Sequence, residues 1–377
     1  MSRSNDPGHF FQTTSSLSEL ARKAEKSKNT KGNPVKLPSK ILAVAADPEN
    51  EGQVYIAEAA GTAGKTIATF SGPTAPLTSL AISPTSGTIL AGCWDKSIWS
   101  WSISTRKLAR RFQGHGDFVK AVLVLQLQGK ETLISGSADA SIIVWDVVTG
   151  NRLHTLKGHT RGILVMAVDP IEYQPSKESV ILFSAGSDKE IRRWTIGISS
   201  ASQIEATSDA PSSIVTHETS IDSIYFDSDG DLWTASADKT AKCLSRTRHW
   251  EEDTQLVHPD FVRDVVVDDE GGWVVTACRD EEVRVWDKSS GKLHHVFSGH
   301  FEEVTGLLLL PNRKVVSVSI DATIRQWSLK TSDLAKAIKE AEEERLGEEK
   351  ERQPETKESL LTEEEERELA ELMEDGE

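Results

Sequence analysis

Long apolar runs, paired cysteines and an N-terminal hydrophobic segment are all missing from this 377-residue chain. No run approaches the roughly 18 apolar residues of a membrane-spanning helix, and Leu307–Leu310 reads as a short buried strand. The N-terminus has no hydrophobic stretch of the secretory type. The three cysteines, Cys93, Cys243 and Cys278, are odd in number and widely scattered, which points to a reducing compartment. No CxxC or Cys/His cluster exists, so no metal site and no cofactor is expected. His294 and His295 are neighbours, but adjacent strand residues point to opposite faces and do not ligate together. The expected location is intracellular, cytoplasmic and/or nuclear.

Positive charge is also in deficit, and unevenly. The net charge is −16. Residues 1–40 hold eight Lys/Arg against three Asp/Glu, whereas residues 333–377 hold seven against nineteen. An acidic body with an acidic tail disfavours nonspecific nucleic-acid binding as the main task. The basic stretch Arg22–Lys28 keeps a nuclear-import reading open beside that of a solvated arm, part of which, Ser18–Lys28, could form a transient helix.

What is present is a repeat. Asp95, Asp139, Asp188, Asp238, Asp280 and Asp321 are spaced by 44, 49, 50, 42 and 41 residues. Six residues after each stands a bulky apolar side chain: Trp101, Trp145, Trp194, Leu244, Trp286 and Trp327. His115, His159, His258 and His300 follow four of these by fourteen residues. A period near 40 is the mark of a tandem array of one supersecondary unit. Runs such as 132–135, 142–145, 272–276 and 283–286 are β-branched and aromatic, and turns such as Thr149-Gly150-Asn151 and Ser290-Gly291-Lys292 separate them. Four strands of ordinary length fit each unit. One such sheet cannot cover both its faces; stacking neighbours around an axis does.

On Gly114-His115 … Trp145-Asp146, Gly158-His159 … Trp194, Gly299-His300 … Trp327 and Trp286-Asp287, the chain resembles the WD40 β-propeller family over residues 41–332. The resemblance implies an all-β propeller. Seven blades are expected rather than six. Ile41–Asp47 and Gln53–Glu58 read as two strands of a degenerate first blade, which ends at Phe70-Ser71-Gly72-Pro73 with only Ala59–Lys65 left for a further strand. In the family an N-terminal strand often completes the last blade, and Val35-Lys36-Leu37 or His9–Gln12 could supply it. The domain reading is a flexible basic arm (1–40), the propeller (41–332) and an acidic helical or disordered tail (333–377).

Four residues before five of the six aspartates lies a hydroxyl: Ser135, Ser184, Thr234, Thr276 and Ser317. With His115, His159, His217, His258 and His300 they make five Ser/Thr–His–Asp sets. Such a set invites a nucleophile reading. An enzyme needs one active site rather than five, and the resemblance implies instead a buried structural hydrogen-bond chain ending on the tryptophan. The expected structural residues are His115, Ser135, Asp139, Trp145, His159, Ser184, Asp188, Trp194, His258, Thr276, Asp280, Trp286, His300, Ser317, Asp321 and Trp327. Ala91 and Leu244 interrupt the pattern. Extra residues lie around Glu172–Ser179 and in 198–213.

No acid, base or nucleophile cluster stands outside these sets, so the expected role is a non-catalytic scaffold for protein–protein assembly. The alternative is a dedicated non-catalytic subunit or substrate receptor of an enzyme complex, such as a ubiquitin ligase, RNA-modification or ribosome-assembly machinery. The partners are other proteins, with no membrane, and the chain alone is expected to be a monomer. In the family the residues one, three and five after the repeated His, and the one before the repeated Asp, project to a contact face. Here the residues singled out at those places are Trp94, Phe118, Lys120, Phe261, Arg263, Arg279 and Phe301. In the tail, Thr362 and Glu365 form a capping box ahead of a short Leu369, Leu372, Met373 stripe that could dock in a partner groove.

Overall fold

The computed structural model describes residues 14–50, 52–59, 68–83, 85–206 and 211–352. These fall into two compact units, divided between Lys330 and Thr331.

The first unit opens with helix α1 (Thr14–Lys26), a short strand β1 (Val35–Lys36) and a hairpin, β2 (Ile41–Ala46) and β3 (Val54–Glu58). Six larger antiparallel sheets follow, identified here by their repeated aspartates. The Asp95 blade is β4 (Leu77–Ser83), β5 (Thr88–Cys93), β6 (Ser97–Ser102) and β7 (Leu108–Gln113). The Asp139 blade is β8 (Val119–Leu127), β9 (Lys130–Ser137), β10 (Ser141–Asp146) and β11 (Arg152–Lys157). The Asp188 blade is β12 (Ile163–Val168), β13 (Ser179–Gly186) and β14 (Ile191–Gly197), whose outer edge pairs with both β15 (Ala201–Gln203) and β16 (Ser213–Ile214). The Asp238 blade is β17 (Ile221–Phe226), β18 (Leu232–Ser236), β19 (Thr240–Ser245) and β20 (Glu251–Val257). The Asp280 blade is β21 (Val262–Asp268), β22 (Trp273–Cys278), β23 (Glu282–Asp287) and β24 (Leu293–Ser298). The Asp321 blade is β25 (Val304–Leu310), β26 (Lys314–Ser319) and β27 (Thr323–Ser328), with β1 as its fourth strand. The second unit contains helix α2 (Thr331–Arg352), which covers the start of the tail.

The first strands pack against one another in a closed circuit: β4, β8, β12, β17, β21, β25 and back through β2. Second and third strands are sandwiched between neighbouring sheets and are buried on both faces, as in β10, whereas an outer strand such as β7 is almost wholly exposed. That difference explains why the sequence shows near-continuous apolar runs there instead of a clean period of two. The expectation of seven blades is corrected to six complete ones. Between the Asp321 and Asp95 blades the described residues form the hairpin β2–β3, packed beside β4 and β25 and sharing a core with Leu308, Leu310, Val316 and Ile324.

The flexible arm is also corrected for residues 14–40. Val35 and Lys36 pair with Ile324 and Thr323 of β27, while the other candidate strand, residues 9–12, lies outside the described residues. Gln326 N–H donates to the Gly32 carbonyl at 2.8 Å. Asn29 donates to the Gly299 carbonyl at 2.8 Å and accepts from Arg325 Nη1 at 2.7 Å. Arg325 is fully buried, and Nη1 also donates to the Lys31 carbonyl. A buried guanidinium needs acceptors, and the arm supplies two, both to Nη1, while Nε and Nη2 are buried without a partner. Asn29→Ala is therefore expected to lower stability by about 1–3 kcal/mol, read as a lower melting midpoint; an unchanged midpoint would mean that the arm does not stabilise the ring.

Candidate functional site

Each repeated aspartate occupies the turn between second and third strands, and the residue after it has a left-handed backbone: Lys96, Ala140, Lys189, Lys239, Glu281 and Ala322, at φ 61–78°. The carboxylate suits this turn because it accepts the N–H two residues on, as from Ser141 to Asp139 at 2.9 Å and from Thr323 to Asp321 at 2.7 Å.

From that turn a polar chain runs inward. In the Asp139 blade, His115 Nδ1 lies 3.2 Å from Asp139, His115 Nε2 lies 2.8 Å from Ser135 Oγ, and Trp145 Nε1 donates to the same Oγ at 2.8 Å. The Asp188 blade repeats it through His159, Ser184 and Trp194 at 2.8, 2.7 and 2.7 Å. The Asp321 blade does so through His300, Ser317 and Trp327 at 2.9, 2.7 and 2.8 Å. The Asp238 blade holds His217 between Asp238 (2.8 Å) and Thr234 (2.7 Å), without a tryptophan, since Leu244 stands there. A carboxylate only accepts, so the imidazole proton sits on Nδ1 towards the aspartate and the neutral ring's Nε2 accepts from the hydroxyl. The glycine before three of these histidines has a steric cause. A Cβ on Gly114, Gly158 or Gly299 would come within 2.9, 2.9 and 3.0 Å of the rings of Trp145, Trp194 and Trp327.

The Asp280 blade departs from this pattern, and the expected His258–Asp280 bond is corrected. His258 Nε2 still meets Thr276 at 2.8 Å and Trp286 donates to Thr276 at 2.9 Å, but Nδ1 faces the Leu256 carbonyl at 3.1 Å. Asp280 instead accepts two bonds from Arg284. The reason is one residue. In the other four sets the amide after the histidine (Gly116, Thr160, Glu218, Phe301) donates to the aspartate at 2.6–3.2 Å. After His258 comes Pro259, which has no N–H. Asp95, whose blade has Pro73 in place of histidine, likewise turns to the side chain four residues on, Trp99, at 2.8 Å. With Ala91 in the hydroxyl slot, Trp101 donates to the Ser71 carbonyl at 3.0 Å.

The charges follow the bonds. Burial pushes the Asp139, Asp188, Asp238 and Asp321 carboxyls up, but the bonds they accept hold all four below the usual range. Burial pushes His258 down to about 4, helped by the nearby Arg284 charge. Burial raises the thiols of Cys93, Cys243 and Cys278 to about 11, 12 and 12. Ser135, Ser184, Thr234, Thr276 and Ser317 are fully buried and their oxygens are taken by histidine and, in four sets, tryptophan, so no substrate reaches them.

The residues expected at a contact face separate into three groups. Trp94 is exposed and stacks on Phe118 with ring centroids 5.0 Å apart, and Lys120 Nζ sits 5.2 Å over the Trp94 ring. Burial lowers the Lys120 pKa. Arg279 is exposed and lies 5.0 Å over Phe261. Arg263, in contrast, is not a free cation: it bonds Asp222 at 3.1 Å and also Glu303. Phe301 is half-buried beside the Asp321 turn. Leu369, Leu372 and Met373 lie outside the described residues. Asp222 was missed from sequence, although its offset of five from His217 equals that of Lys120 and Arg263 from theirs. Every first strand is bulged near its start, and Lys120, Asp222 and Arg263 are the skipped residues of β8, β17 and β21. Among the described residues no group of His, Cys, Asp and Glu is arranged to hold a metal.

Two measurements follow from this geometry. Asp139→Ala leaves His115 and the Gly116 amide short of an acceptor and should cost about 1–3 kcal/mol in a thermal or urea melt; loss of a binding activity at unchanged stability would contradict the structural role. His258 gives a pH signature. Its folded pKa lies below the unfolded value, so its effect is absent above about pH 6.5 and destabilises progressively as pH falls to about 4, by up to about 3 kcal/mol. His258→Gln is expected to flatten the stability profile over that window, and a profile parallel to that of the unmutated protein would refute the neutral, buried assignment.

Comparison with known proteins agrees with this architecture. The family model described as "WD domain, G-beta repeat" matches residues 64–102, 106–146, 150–195, 252–287 and 291–328. It passes over 196–251, where Leu244 replaces tryptophan, although the Asp238 blade forms and its His217 set is in place. The chain is 36% identical over 351 residues to an "Uncharacterized WD repeat-containing protein C126.01c" of Schizosaccharomyces pombe, covering 88% of this chain and 91% of that one. It is 27% identical to Pre-mRNA-processing factor 19 of Mus musculus over 54% of this chain and 38% of that one. It is 28% identical to Nuclear distribution protein PAC1 of Arthroderma benhamiae over 68% of this chain and 50% of that one. With five matched repeats and a relative aligned along nearly its whole length, this chain belongs to the WD40-repeat family.

Proposed function

We propose that this protein is a non-catalytic scaffold that presents one face of a rigid ring to protein partners. The observation that carries the reading is the stack of exposed Trp94 on Phe118 beneath Lys120. Tryptophan and arginine dominate interface energetics when they are held in place before binding, and the Arg279–Phe261 pair on the equivalent connection of another blade adds a second such anchor. The hydroxyl–histidine sets support a mechanical reading over a chemical one, because they recur and are closed to solvent. Relatives named for pre-mRNA processing and for nuclear distribution use the same repeat, which fits a ring that offers a surface instead of a reaction, in the nucleus or the cytoplasm.

Beside its six complete blades, the ring includes the hairpin β2–β3 in the circuit of first strands. All seven first strands, β2 included, carry the same register shift near their start, between Ile41 and Ala43 in β2 and between Leu77 and Ser79 in β4. The hairpin β2–β3 thereby shares the bulged geometry of the first strands on either side of it.

Because Arg263 is bound by Asp222 and Glu303, reversing its charge would place three carboxylates together and disturb the ring. The informative variant is Trp94→Ala with Arg279→Glu. It is expected to melt as the unmutated protein does and to lose its main partners in a tagged pull-down read by mass spectrometry. Retention of all partners would exclude this face. A single stoichiometric complex, in place of several assemblies, would identify a dedicated subunit of one machine.

A further inference from the structure

The basic helix α1 is held on the ring by four ion pairs that converge on three carboxylates. Arg22 donates from both terminal nitrogens to Glu281, at 2.8 and 2.7 Å. Lys26 reaches Glu281 at 2.9 Å and Glu282 at 2.8 Å, and Lys23 reaches Glu302 at 3.0 Å. Glu281 follows Asp280 in the β22–β23 turn, and Glu302 follows Phe301 on the β24–β25 connection. The carboxylates therefore belong to the same set of connections as the aromatic anchors. Burial pushes the Glu281 carboxyl up, but Arg22 and Lys26 hold it below its usual range.

The apolar edge of α1 is not what seats it. Leu17 and Leu20 are 49% and 56% exposed, and Ala21 and Ala24 are exposed as well. An isolated helix of 13 residues is marginal in water; Glu281 is buried beneath α1, whereas Arg22 and Glu302 reach solvent, and those pairs are open to screening by salt. The seat thus fits a helix by its charges alone. It also has capacity to spare, since Glu282 Oε2 is buried without a hydrogen-bond partner. Beyond α1 the chain is rooted by Asn29 and β1, so a released helix stays tethered to its seat.

We propose that Glu281, Glu282 and Glu302 form a docking seat for a basic helical segment of a partner protein, and that α1 is its intramolecular occupant, exchanged for a partner helix with cations at the same i, i+1, i+4 spacing. The seat adjoins the proposed face, since Glu281 lies two residues from Arg279 in the same turn and Glu302 follows Phe301, and in that respect it rests on that reading; peptide binding to the seat is nevertheless measured separately from the pull-down of partners. In cis, α1 competes at an effective concentration on the order of millimolar, so only a tighter or locally concentrated partner displaces it.

The probe is a fluorescein-labelled peptide of residues 14–28, added to the full chain and followed by fluorescence anisotropy at low salt. Arg22→Ala, Lys23→Ala and Lys26→Ala together should vacate the seat and strengthen peptide binding by about tenfold or more over the unmutated chain. Adding Glu281→Gln and Glu302→Gln to that variant should remove the gain, and so should salt at about 0.5 M. Melting curves establish that each variant is folded, and amide exchange in α1 of the unmutated protein should quicken as salt rises. Equal peptide binding by the triple variant and the unmutated chain, or binding indifferent to the two glutamates, would overturn the proposal. A salt-sensitive dimer of the unmutated chain in light scattering would overturn the partner assignment in favour of exchange between two copies.

Discussion

Much of this molecule turns on one buried oxygen. In the Asp139, Asp188, Asp280 and Asp321 blades a serine or threonine hydroxyl accepts the indole N–H from the third strand and meets the histidine of the incoming connection. A group desolvated to that degree has to be fully bonded or absent. The blades obey this. Where the tryptophan is missing, Thr234 still meets His217 at 2.7 Å. Where the hydroxyl is missing, as at Ala91, the tryptophan turns to a backbone carbonyl. The outer end of the chain is more forgiving because water and side chains reach it. Pro259 removes one amide donor, and Asp280 pairs with Arg284 without loss of the inner His258–Thr276 contact.

Closure of the ring adds a second constraint. The first strands of six blades and of the hairpin must meet around one axis, and each has the same early bulge. A bulge leaves one residue unpaired and redirects its side chain. Threonine at that place donates to a neighbouring strand, as Thr78 does to the Val119 carbonyl at 2.5 Å and Thr305 to the Ile41 carbonyl at 2.9 Å. Arg263 and Asp222 at that place form an ion pair. Asp264, one residue on, ties three blades together through Ser223 and the Leu307 amide, and burial raises its pKa to about 6. The positions that stitch the ring and those that face a partner are thus one or two residues apart, and side-chain chemistry selects between the two uses.

The sorting of cations follows from the acidic composition. Several basic side chains on the ring meet carboxylates: Arg263 with Asp222 and Glu303, Arg313 with Asp268, Lys288 with Asp227 and Asp269. Lys120 and Arg279 lie over aromatic rings instead. A cation held by a ring keeps its hydrogen-bonding capacity for an incoming group, unlike Arg111 and Arg246, which lie over Trp99 and Trp250 but also bond Asp95 and Asp169.

The sequence alone determined the repeat, its strand texture and the membership of four hydrogen-bonded histidine sets, because those depend on spacing within one unit. His115, Ser135, Asp139 and Trp145 recur at fixed offsets, and a fixed offset in a β-meander is a fixed distance. It also marked Ala91, Pro73 and Leu244 as departures. Tertiary structure decided what depends on meetings between distant segments. The pairing of Arg263 with Asp222 joins two blades 41 residues apart. The seating of Arg22 and Lys26 on Glu281 joins residues more than 250 apart. The arm looked solvated because its apolar content is low, yet a backbone pairing at β1 and a buried acceptor at Asn29 fix it, and neither leaves a hydrophobic signature. Asp280 was misassigned for a subtler reason. Its offset was correct, but the amide it needed had been removed by Pro259, some twenty residues earlier in the chain, and only the folded turn brings the two together.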